Sequence, residues 1–284
     1  MRTTCRVPGR SLFPRKVQQL VAVVLLVGCV LACAPRPSRI IPEGSSPWAR
    51  FIRQQEAITP LEDFSIRASI NYSSPRSKHR VIMRLFGSLH YPLRMDLEAG
   101  IGRTISMWRE EASLWQAYFP QERRMYTASN AHKGLQRLGF PSPFDLRELA
   151  MILQGKLAPL LPDQPVREEE QPAGSQVIFD RTSRIASLLL DATGRVQELR
   201  GTTGWQVAFD YPETSPYASS IRMVMNATTR ATLRVKSVEP GSLTTDLTMH
   251  LPEDTETISL DTPQGRTTKG NRTRDSRAPS PTMN

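Results

Sequence analysis

The chain has 284 residues, 39% of them hydrophobic, which is enough to build one substantial domain. Its formal net charge of +10 is concentrated at the two ends. Five basic residues lie before residue 33 and five lie after residue 261, whereas the body between them holds 27 basic residues against 26 acidic residues. A nearly neutral body argues against a nucleic-acid partner.

Residues 20–32 form an uninterrupted apolar run behind a basic leader. The run has 13 residues, fewer than the roughly 20 that a helix needs to span a bilayer. A basic leader, a short apolar run and a small residue before a cysteine are typical of a bacterial lipoprotein signal peptide. We therefore expect cleavage before Cys33 and lipidation of Cys33. Cys29 is an alternative anchor, and an uncleaved signal anchor is a second alternative.

The cysteines and the composition divide the chain into four segments. Residues 1–32 are predicted to be the signal peptide, and residues 33–46, rich in Pro, Ser and Gly, a flexible tether. Residues 47–261 are predicted to form the folded domain, and residues 262–284 a disordered basic tail. All three cysteines lie at or before Cys33, so the mature domain would have no disulfide and no catalytic thiol. Because Ala34, rather than Asp, follows Cys33, we expect an anchor on the periplasmic face of the outer membrane.

Alternation of apolar and polar residues, with turn residues between the runs, predicts a mainly β fold: an antiparallel meander with a helical insert. A helix is predicted over 47–57, with Ser46 as its cap. Two further helices are predicted over 130–138 and 142–155, the second capped by Ser142, and a loop over 159–174. The predicted strands are 64–72, 79–89, 92–99, 103–109, 112–119, 124–128, 176–179, 186–191, 195–200, 205–211, 219–226, 232–238 and 243–251.

Signatures of catalysis and of metal or cofactor binding are missing from the sequence. The four histidines, at positions 79, 90, 132 and 250, form no ligand pair of the usual spacing. The chain has no Gly-x-Ser-x-Gly elbow, no phosphate loop and no dinucleotide fingerprint. The acidic pairs and triplets are interpreted as solvated surface. We therefore expect no cofactor, no metal and no enzymatic activity.

Three stretches of the body resemble the LolA/LolB family of bacterial lipoprotein carriers, and a lipidated N-terminus favours the LolB branch. The first stretch is YPLRMDLEAGIG at 91–102. The second begins with Tyr-Thr-Ala at 126–128 and continues into the leucine-rich run at 146–155. The third joins Gly194-Arg195 to Gly-Trp-Gln-Val at 204–207 and Tyr211. The long basic tail and the loop at 159–174 depart from the family pattern.

The resemblance implies a curved, incompletely closed antiparallel sheet, or half-barrel, whose open side is covered by helices. Its apolar cavity would receive the acyl chains of other lipoproteins and help to insert them into the outer membrane. Partners would be acylated lipoproteins or a periplasmic carrier, and membrane lipid through the Cys33 anchor. Ile101, between two glycines, matches an exposed apolar residue of the family that serves membrane insertion; it could equally be an ordinary turn residue.

Apolar residues on one face of the predicted strands and helix are the candidate cavity lining, although the sequence does not separate them from ordinary core residues. Alternative functions for the same fold are a lipid-binding or sensor lipoprotein and a structural subunit of an envelope complex. The candidate lining residues are Ile66, Ile70, Met83, Leu85, Leu93, Met95, Leu97, Met107, Trp115, Leu149, Leu153, Trp205 and Phe209, with a wider set that includes Val81, Ile105 and Met223.

Overall fold

A computed structural model describes residues 46–75, 77–100, 102–140, 142–172, 174–213, 215, 217–241 and 246–261. The first element is helix α1, Pro47–Ala57. Ser46 caps it by accepting a hydrogen bond from the Ala49 backbone N–H at 3.2 Å, and Pro47 occupies the first turn. Both features confirm the helix that the sequence predicts here.

In the part of the chain that the structure describes, fourteen strands form one sheet. The strands are β1 (Asp63–Ser73), β2 (Lys78–Ser88), β3 (Leu93–Ala99), β4 (Thr104–Glu110), β5 (Trp115–Phe119), β6 (Arg124–Ala128), β7 (Arg167–Gln171), β8 (Gly174–Ile178), β9 (Ile185–Leu190), β10 (Val196–Gly201), β11 (Gln206–Asp210), β12 (Ser220–Val224), β13 (Arg230–Pro240) and β14 (Glu256–Ser259). In space their order is β14-β6-β5-β4-β3-β2-β1-β13-β12-β11-β10-β9-β8-β7, with β14 and β7 at its two edges. Every neighbouring pair is antiparallel except β14 with β6, which is parallel.

The architecture confirms the predicted fold class: a mainly β chain whose antiparallel sheet stays open and is accompanied by helices. Most strands are consecutive hairpins because turn residues separate the alternating runs. One long-range pairing, β1 with β13, joins the first meander to the second. Apolar residues from both meanders and from the helices belong to a single hydrophobic core.

Two short helices lie between the meanders. Helix α2, Ala131–Arg137, is capped by the side chain of Asn130. Helix α3, Leu146–Leu153, begins later than predicted: its N-cap is Asp145, whose carboxylate accepts from the Glu148 backbone N–H while the Glu148 side chain accepts from the Asp145 N–H. This capping box replaces the predicted cap at Ser142. None of the helices in the described part of the chain combines the length and apolar character that a membrane crossing requires.

Two sequence-based expectations about strands and loops are wrong. The segment predicted as a loop over 159–174 contains a short 3₁₀ turn, Ala158–Leu160, and edge strand β7. Within β7, Glu168 is not simply solvated: it accepts hydrogen bonds from Ser175 Oγ at 2.6 Å and from the Trp48 N–H at 3.3 Å, at the N-terminus of α1. A carboxylate at a helix N-terminus is electrostatically favourable.

The C-terminal part of the body is the second correction. Residues 246–251 of the predicted strand 243–251 are not a strand; there the backbone carbonyl of Thr248 accepts a hydrogen bond from Arg94 at 2.7 Å. The strand in this region is β14, which the sequence analysis missed. It pairs with β6, where Arg124 Nε contacts Glu256 at 3.0 Å. Arg124 therefore does not lie at the edge of the sheet.

Helix α1 is fixed to the rest of the domain through one buried glutamine. The Gln55 side chain donates to the Gly155 carbonyl at 2.9 Å and accepts from the backbone N–H groups of Leu157 and Ala158 at 2.6 and 2.9 Å. A buried amide is stable only when its polar atoms are paired in this way. Gln55 thereby ties the first helix to the segment that follows α3.

Aromatic side chains fill one half of the concave side. We call strands β8–β11, with α1 and Phe144, the filled half. Trp48 stacks on Phe51 with ring centroids 5.3 Å apart and meets Phe179 edge-on at 6.0 Å. Phe144 meets Trp205 edge-on at 5.5 Å. Such edge and offset contacts add to the free energy gained by burying the rings.

Candidate functional site

The other half of the sheet lines an apolar cavity of about 550 Å³ that is open to solvent on one side. We call strands β1–β5, β12 and β13, with the segments that cover them, the cavity half. The volume lies in the range of small-molecule sites, about 300–1,000 Å³. The lining residues are Ile70, Tyr72, His79, Arg80, Val81, Met83, Met95, Leu97, Ala99, Arg103, Ile105, Ser106, Trp108, Phe119, Gln121, Leu138, Gly139, Phe140, Ser142, Leu149, Met223, Ala231 and Leu233.

The cavity exists because small side chains in the sheet face a thin cover. Ala99, Ser106 and Ala231 line the cavity, and each is smaller than the residues paired with it on the neighbouring strands. The cover consists of the chain after α2 and of Leu149 on α3. Phe140 reaches in from this cover and meets Trp108 edge-on at 4.3 Å.

Polar groups inside the cavity wall are satisfied or placed at the rim. The indole N–H of Trp108 donates to Ser106 Oγ at 3.0 Å, which pairs both groups within the wall. The remaining lining is dominated by Leu, Ile, Val, Met and aromatic residues, and the described residues that line the cavity include no Asp or Glu. Such a surface favours an apolar ligand, at roughly 25 cal/mol for each Å² of apolar area buried.

The predicted lining residues fall into three groups. Five of them line the cavity: Ile70, Met83, Met95, Leu97 and Leu149, as do Val81, Ile105 and Met223 of the wider set. Seven are buried in the same hydrophobic core but do not border the cavity: Ile66, Leu85, Leu93, Trp115, Leu153, Trp205 and Phe209.

Met107 is placed on the opposite side of β4. The pairing of β3 with β4 shifts register between Leu97 and Glu98, so that Leu97 faces Ser106 while Glu98 faces Thr104. This irregularity reverses which β4 residues face inward, because successive side chains of a strand alternate. Ser106, Trp108 and Glu110 are buried, whereas the Met107 sulfur lies 3.1 Å from an Arg94 nitrogen on the outer face.

A charged cluster lies at the N-terminus of α3. Arg184, just before β9, contacts both carboxylate oxygens of Glu148, at 2.6 and 3.0 Å. His132 Nε2 lies 3.4 Å from Glu148 and 3.4 Å from Asp145. Burial alone would raise the pKa of Glu148, but the hydrogen bonds from His132 and Arg184 lower it to about 2. The same hydrogen bond with Glu148 raises the pKa of His132.

Donor atoms of His132, Asp145 and Glu148 lie within 4.8 Å of one another, the spacing of a potential metal site among the described residues. However, Arg184 already binds both oxygens of Glu148. The cluster therefore works as an ion-pair network that holds α2 and α3 to the start of β9. Sequence spacing could not reveal it, because its members come from three separate places in the chain.

A second buried acid links β4 to α3. Glu110 is 2% exposed; its carboxylate accepts from the backbone N–H of Leu146 at 2.9 Å and lies 3.4 Å from the Tyr91 hydroxyl. Burial, reinforced by the nearby charge of Asp145, raises the pKa of Glu110 to about 7. Burial and Glu110 together raise the pKa of Tyr91 to about 12. Glu110 thus fixes the start of the helix that covers the cavity.

Two predicted functional residues lie outside the described residues: the lipidation site, Cys33, with its alternative Cys29, and Ile101. Ala99 and Arg103, on either side of it in the chain, are joined by a backbone hydrogen bond of 2.8 Å, and both line the cavity.

No protein-family model and no curated protein matches the chain. Similar solved structures include a LolA superfamily protein from Nitrosomonas europaea, with 12% identity, coverage of 70% of this chain and 94% of that chain, and a TM-score of 0.45. A DUF1329 family protein from Desulfovibrio piger has 8% identity, coverage of 70% and 93%, and a TM-score of 0.47. A candidate outer membrane lipoprotein-sorting domain from Vibrio parahaemolyticus has 12% identity, coverage of 69% and 93%, and a TM-score of 0.43.

With identities of 8–12% and TM-scores below 0.5, the function has to be argued from the residues of this chain.

Proposed function

We propose that this protein is an outer-membrane-anchored lipoprotein that binds acyl chains of other lipoproteins and helps to insert them into the membrane. The observation that carries the proposal is the apolar cavity of about 550 Å³ in the cavity half. The lipoprotein-like signal sequence and the LolB-like motifs agree with it. The proposal includes Cys33 as the anchor of a domain spanning residues 47–261.

The proposed activity needs binding and release but no covalent chemistry. An acyl chain gains free energy when its methylene groups leave water, by about 0.8 kcal/mol for each group buried. A bilayer offers a similar gain, so a carrier held at the membrane can pass its ligand on without an energy source. The cavity fits this role because its wall is apolar and contains no carboxylate.

Native mass spectrometry of the chain from Ala34 to Asn284 tests the binding step directly. The chain is mixed with an acylated lipoprotein and, separately, with the same lipoprotein lacking its acyl groups. We expect a complex with the acylated form only. Equal binding of both forms, or binding of neither, would contradict the proposal and favour a structural subunit of an envelope complex.

Two variants test whether the acyl chain binds in the cavity or elsewhere on the protein. Ala231 is 5% exposed and lines the cavity, so Ala231→Leu adds bulk where the acyl chain would lie. Ala208 is half-buried on β11, outside the lining, and Ala208→Leu is the matched control. Filling the cavity should weaken acyl binding at least severalfold, whereas the control should bind as the wild type does. Equal binding by the two variants would argue against this cavity.

Ile101 provides a test of the insertion step, independent of binding. The sequence motif predicts that this residue contacts lipid, so Ile101→Glu should slow the transfer of a bound lipoprotein into vesicles. Binding of the acylated lipoprotein should be unchanged. A wild-type transfer rate would remove Ile101 from the proposal, and binding without any transfer by the wild type would favour the sensor alternative.

A further inference from the structure

The rim of the cavity carries positive charge. His79, Arg80 and Arg103 border the cavity and are exposed, alongside Gln121, and no Asp or Glu is among the lining residues. Arg80 and Arg103 belong to none of the ion pairs found among the described residues. Glu122, the acid next to Gln121 in the chain, is already 4.0 Å from Arg124.

The register shift between β3 and β4 explains why Arg103 lies at this rim. Because the shift reverses the alternation of β4, Arg103 comes opposite Ala99, whose N–H donates to the Arg103 carbonyl at 2.8 Å. Ala99 in turn pairs with Val81 of β2, and all three residues line the cavity. On the neighbouring strand pair, His79 lies opposite Tyr72, and both border the same cavity.

Several other arginines of the sheet are paired with acids: Arg94, Arg200 and Arg222 each contact a carboxylate. Two arginines without such a partner beside an apolar cavity therefore form a charge arrangement that an anionic ligand group would complement. Phosphate and carboxylate are the groups that a guanidinium binds best, through paired N–H donors.

We propose that this cavity also binds an anionic amphiphile, a phospholipid-type molecule whose acyl chain occupies the apolar cavity and whose phosphate contacts Arg80 and Arg103. This inference rests on the proposed acyl-binding function and adds a second class of acylated ligand to it. The acylated cysteine of a lipoprotein carries no phosphate of its own, so the two classes differ in whether they use the charged rim.

The test compares two lysophospholipids with the same acyl chain, each below its critical micelle concentration. Lysophosphatidylglycerol is anionic, whereas lysophosphatidylcholine is zwitterionic with no net charge. Their affinities for the chain from Ala34 to Asn284 are measured by isothermal titration calorimetry. We expect the anionic lipid to bind about tenfold more tightly, since an exposed ion pair contributes at most about fivefold and two arginines are available.

Matched variants locate the effect. The Arg80→Gln/Arg103→Gln double variant should lose most of the tenfold preference while retaining affinity for the zwitterionic lipid. Arg234 is exposed on β13, is not part of the lining and has no ion pair among those found in the described residues, so Arg234→Gln is the control and should keep the preference. Raising the ionic strength from about 0.05 M to about 0.5 M should also reduce the preference in the wild type.

The outcomes distinguish this inference from the function on which it rests. Equal affinity for both lipids would overturn the anionic preference and leave the acyl-binding function standing. Binding of neither lipid would overturn both. An equal loss of preference in Arg234→Gln and in the double variant would show that overall charge, including the basic tail, attracts the lipid, and would overturn the assignment to the rim.

Discussion

The filled half and the cavity half are built from the same kind of alternating antiparallel strands, yet the space that they border differs: the described residues of the cavity half line an apolar cavity of about 550 Å³, whereas the filled half borders a pocket of about 260 Å³ beside α1. In the filled half, the ring of Trp48 contacts both Phe51 and Phe179. In the cavity half, the sheet presents Ala99, Ser106 and Ala231, and few large side chains descend from the cover. The side chains of the strands and those of the covering segments together decide whether a curved sheet is filled or leaves a cavity.

Two phenylalanines in the same connecting segment give the strongest test of this comparison. Phe144 packs against Trp205 and is only 2% exposed, whereas Phe140 is half-buried and borders the cavity. Phe144→Ala should lower the free energy of unfolding by about 3–5 kcal/mol, and Phe140→Ala by less than about 3 kcal/mol. Urea denaturation of both variants measures the difference. Equal losses would mean that the two halves are packed alike.

The fit of α2 against the cavity half gives a smaller expected effect. A Cβ atom on Gly134 would lie 2.4 Å from the ring of Trp115, which is 1% exposed. Although alanine is the better helix former by about 1 kcal/mol, overpacking costs about 1–3 kcal/mol, so Gly134→Ala should be destabilising overall by roughly 1–2 kcal/mol. Gly100→Ala is the control, since nothing lies within 4 Å of its Cβ position. A Gly134→Ala protein as stable as the control would show that Trp115 can move aside.

Because Glu110 is buried at the start of α3, which covers the cavity, we expect the free energy of unfolding to depend on pH. Its folded-state pKa of about 7 lies above the ordinary 4.5, so between these values the folded protein binds more protons than the unfolded chain. The free energy of unfolding should therefore fall as pH rises from about 4.5 to about 7. Glu110→Gln keeps an acceptor for the backbone N–H of Leu146 but does not titrate, so it should remove this decrease in the free energy of unfolding. Denaturation of both proteins at pH 5 and pH 8 measures it, and parallel profiles would contradict the expectation.

Removing an ion pair at the N-terminus of α3 should change the free energy of unfolding least at neutral pH. Arg184 is partly exposed, so Arg184→Gln should cost at most about 1 kcal/mol. The variant should have a larger effect at acid pH. The lowered pKa of Glu148 contributes to the free energy of unfolding above about pH 4.5, and this contribution is lost as the pH falls toward about 2. Without Arg184 the pKa of Glu148 should rise, and acid unfolding should begin at a higher pH.

The matched control for this last prediction is Arg222→Gln, which removes an exposed pair with Asp210 at 3.0 Å. Its acid unfolding should follow the wild type. If Arg184→Gln and Arg222→Gln unfold at the same pH, the network at α3 has no special role.

Sequence patterns predicted the helices and strands whose apolar residues recur with a single period. Helix α1 and the strands of both meanders follow from alternation, caps and turns. Strand β7 was missed because REEEQ has no apolar face, and β14 because its pairing with β6 depends on residues 132 positions away. The capping box of α3 was readable in Asp145 and Glu148, but Ser142 and Pro143 offered a competing start.

The candidate site was harder to predict for a physical reason. Ile70 and Ile66 occupy equivalent inward positions on β1, yet only Ile70 borders the cavity. Alternation states which face a residue is on, but the gap between that face and its cover depends on tertiary packing. The reversed alternation of β4 arises from a single register shift, which changes Met107 from an expected lining residue to an outer one.

The parallel pairing of β14 with β6 has a consequence for the order of events during folding. The first meander can assemble from hairpins as soon as its residues are available, but β6 receives its outer neighbour only when a segment 132 residues further along the chain arrives. During that interval the β6 edge is an unpaired strand, the kind of surface on which chains aggregate. The polar strand Glu256–Ser259 thus covers this edge late, and a newly synthesised chain is most vulnerable to self-association just before this strand docks.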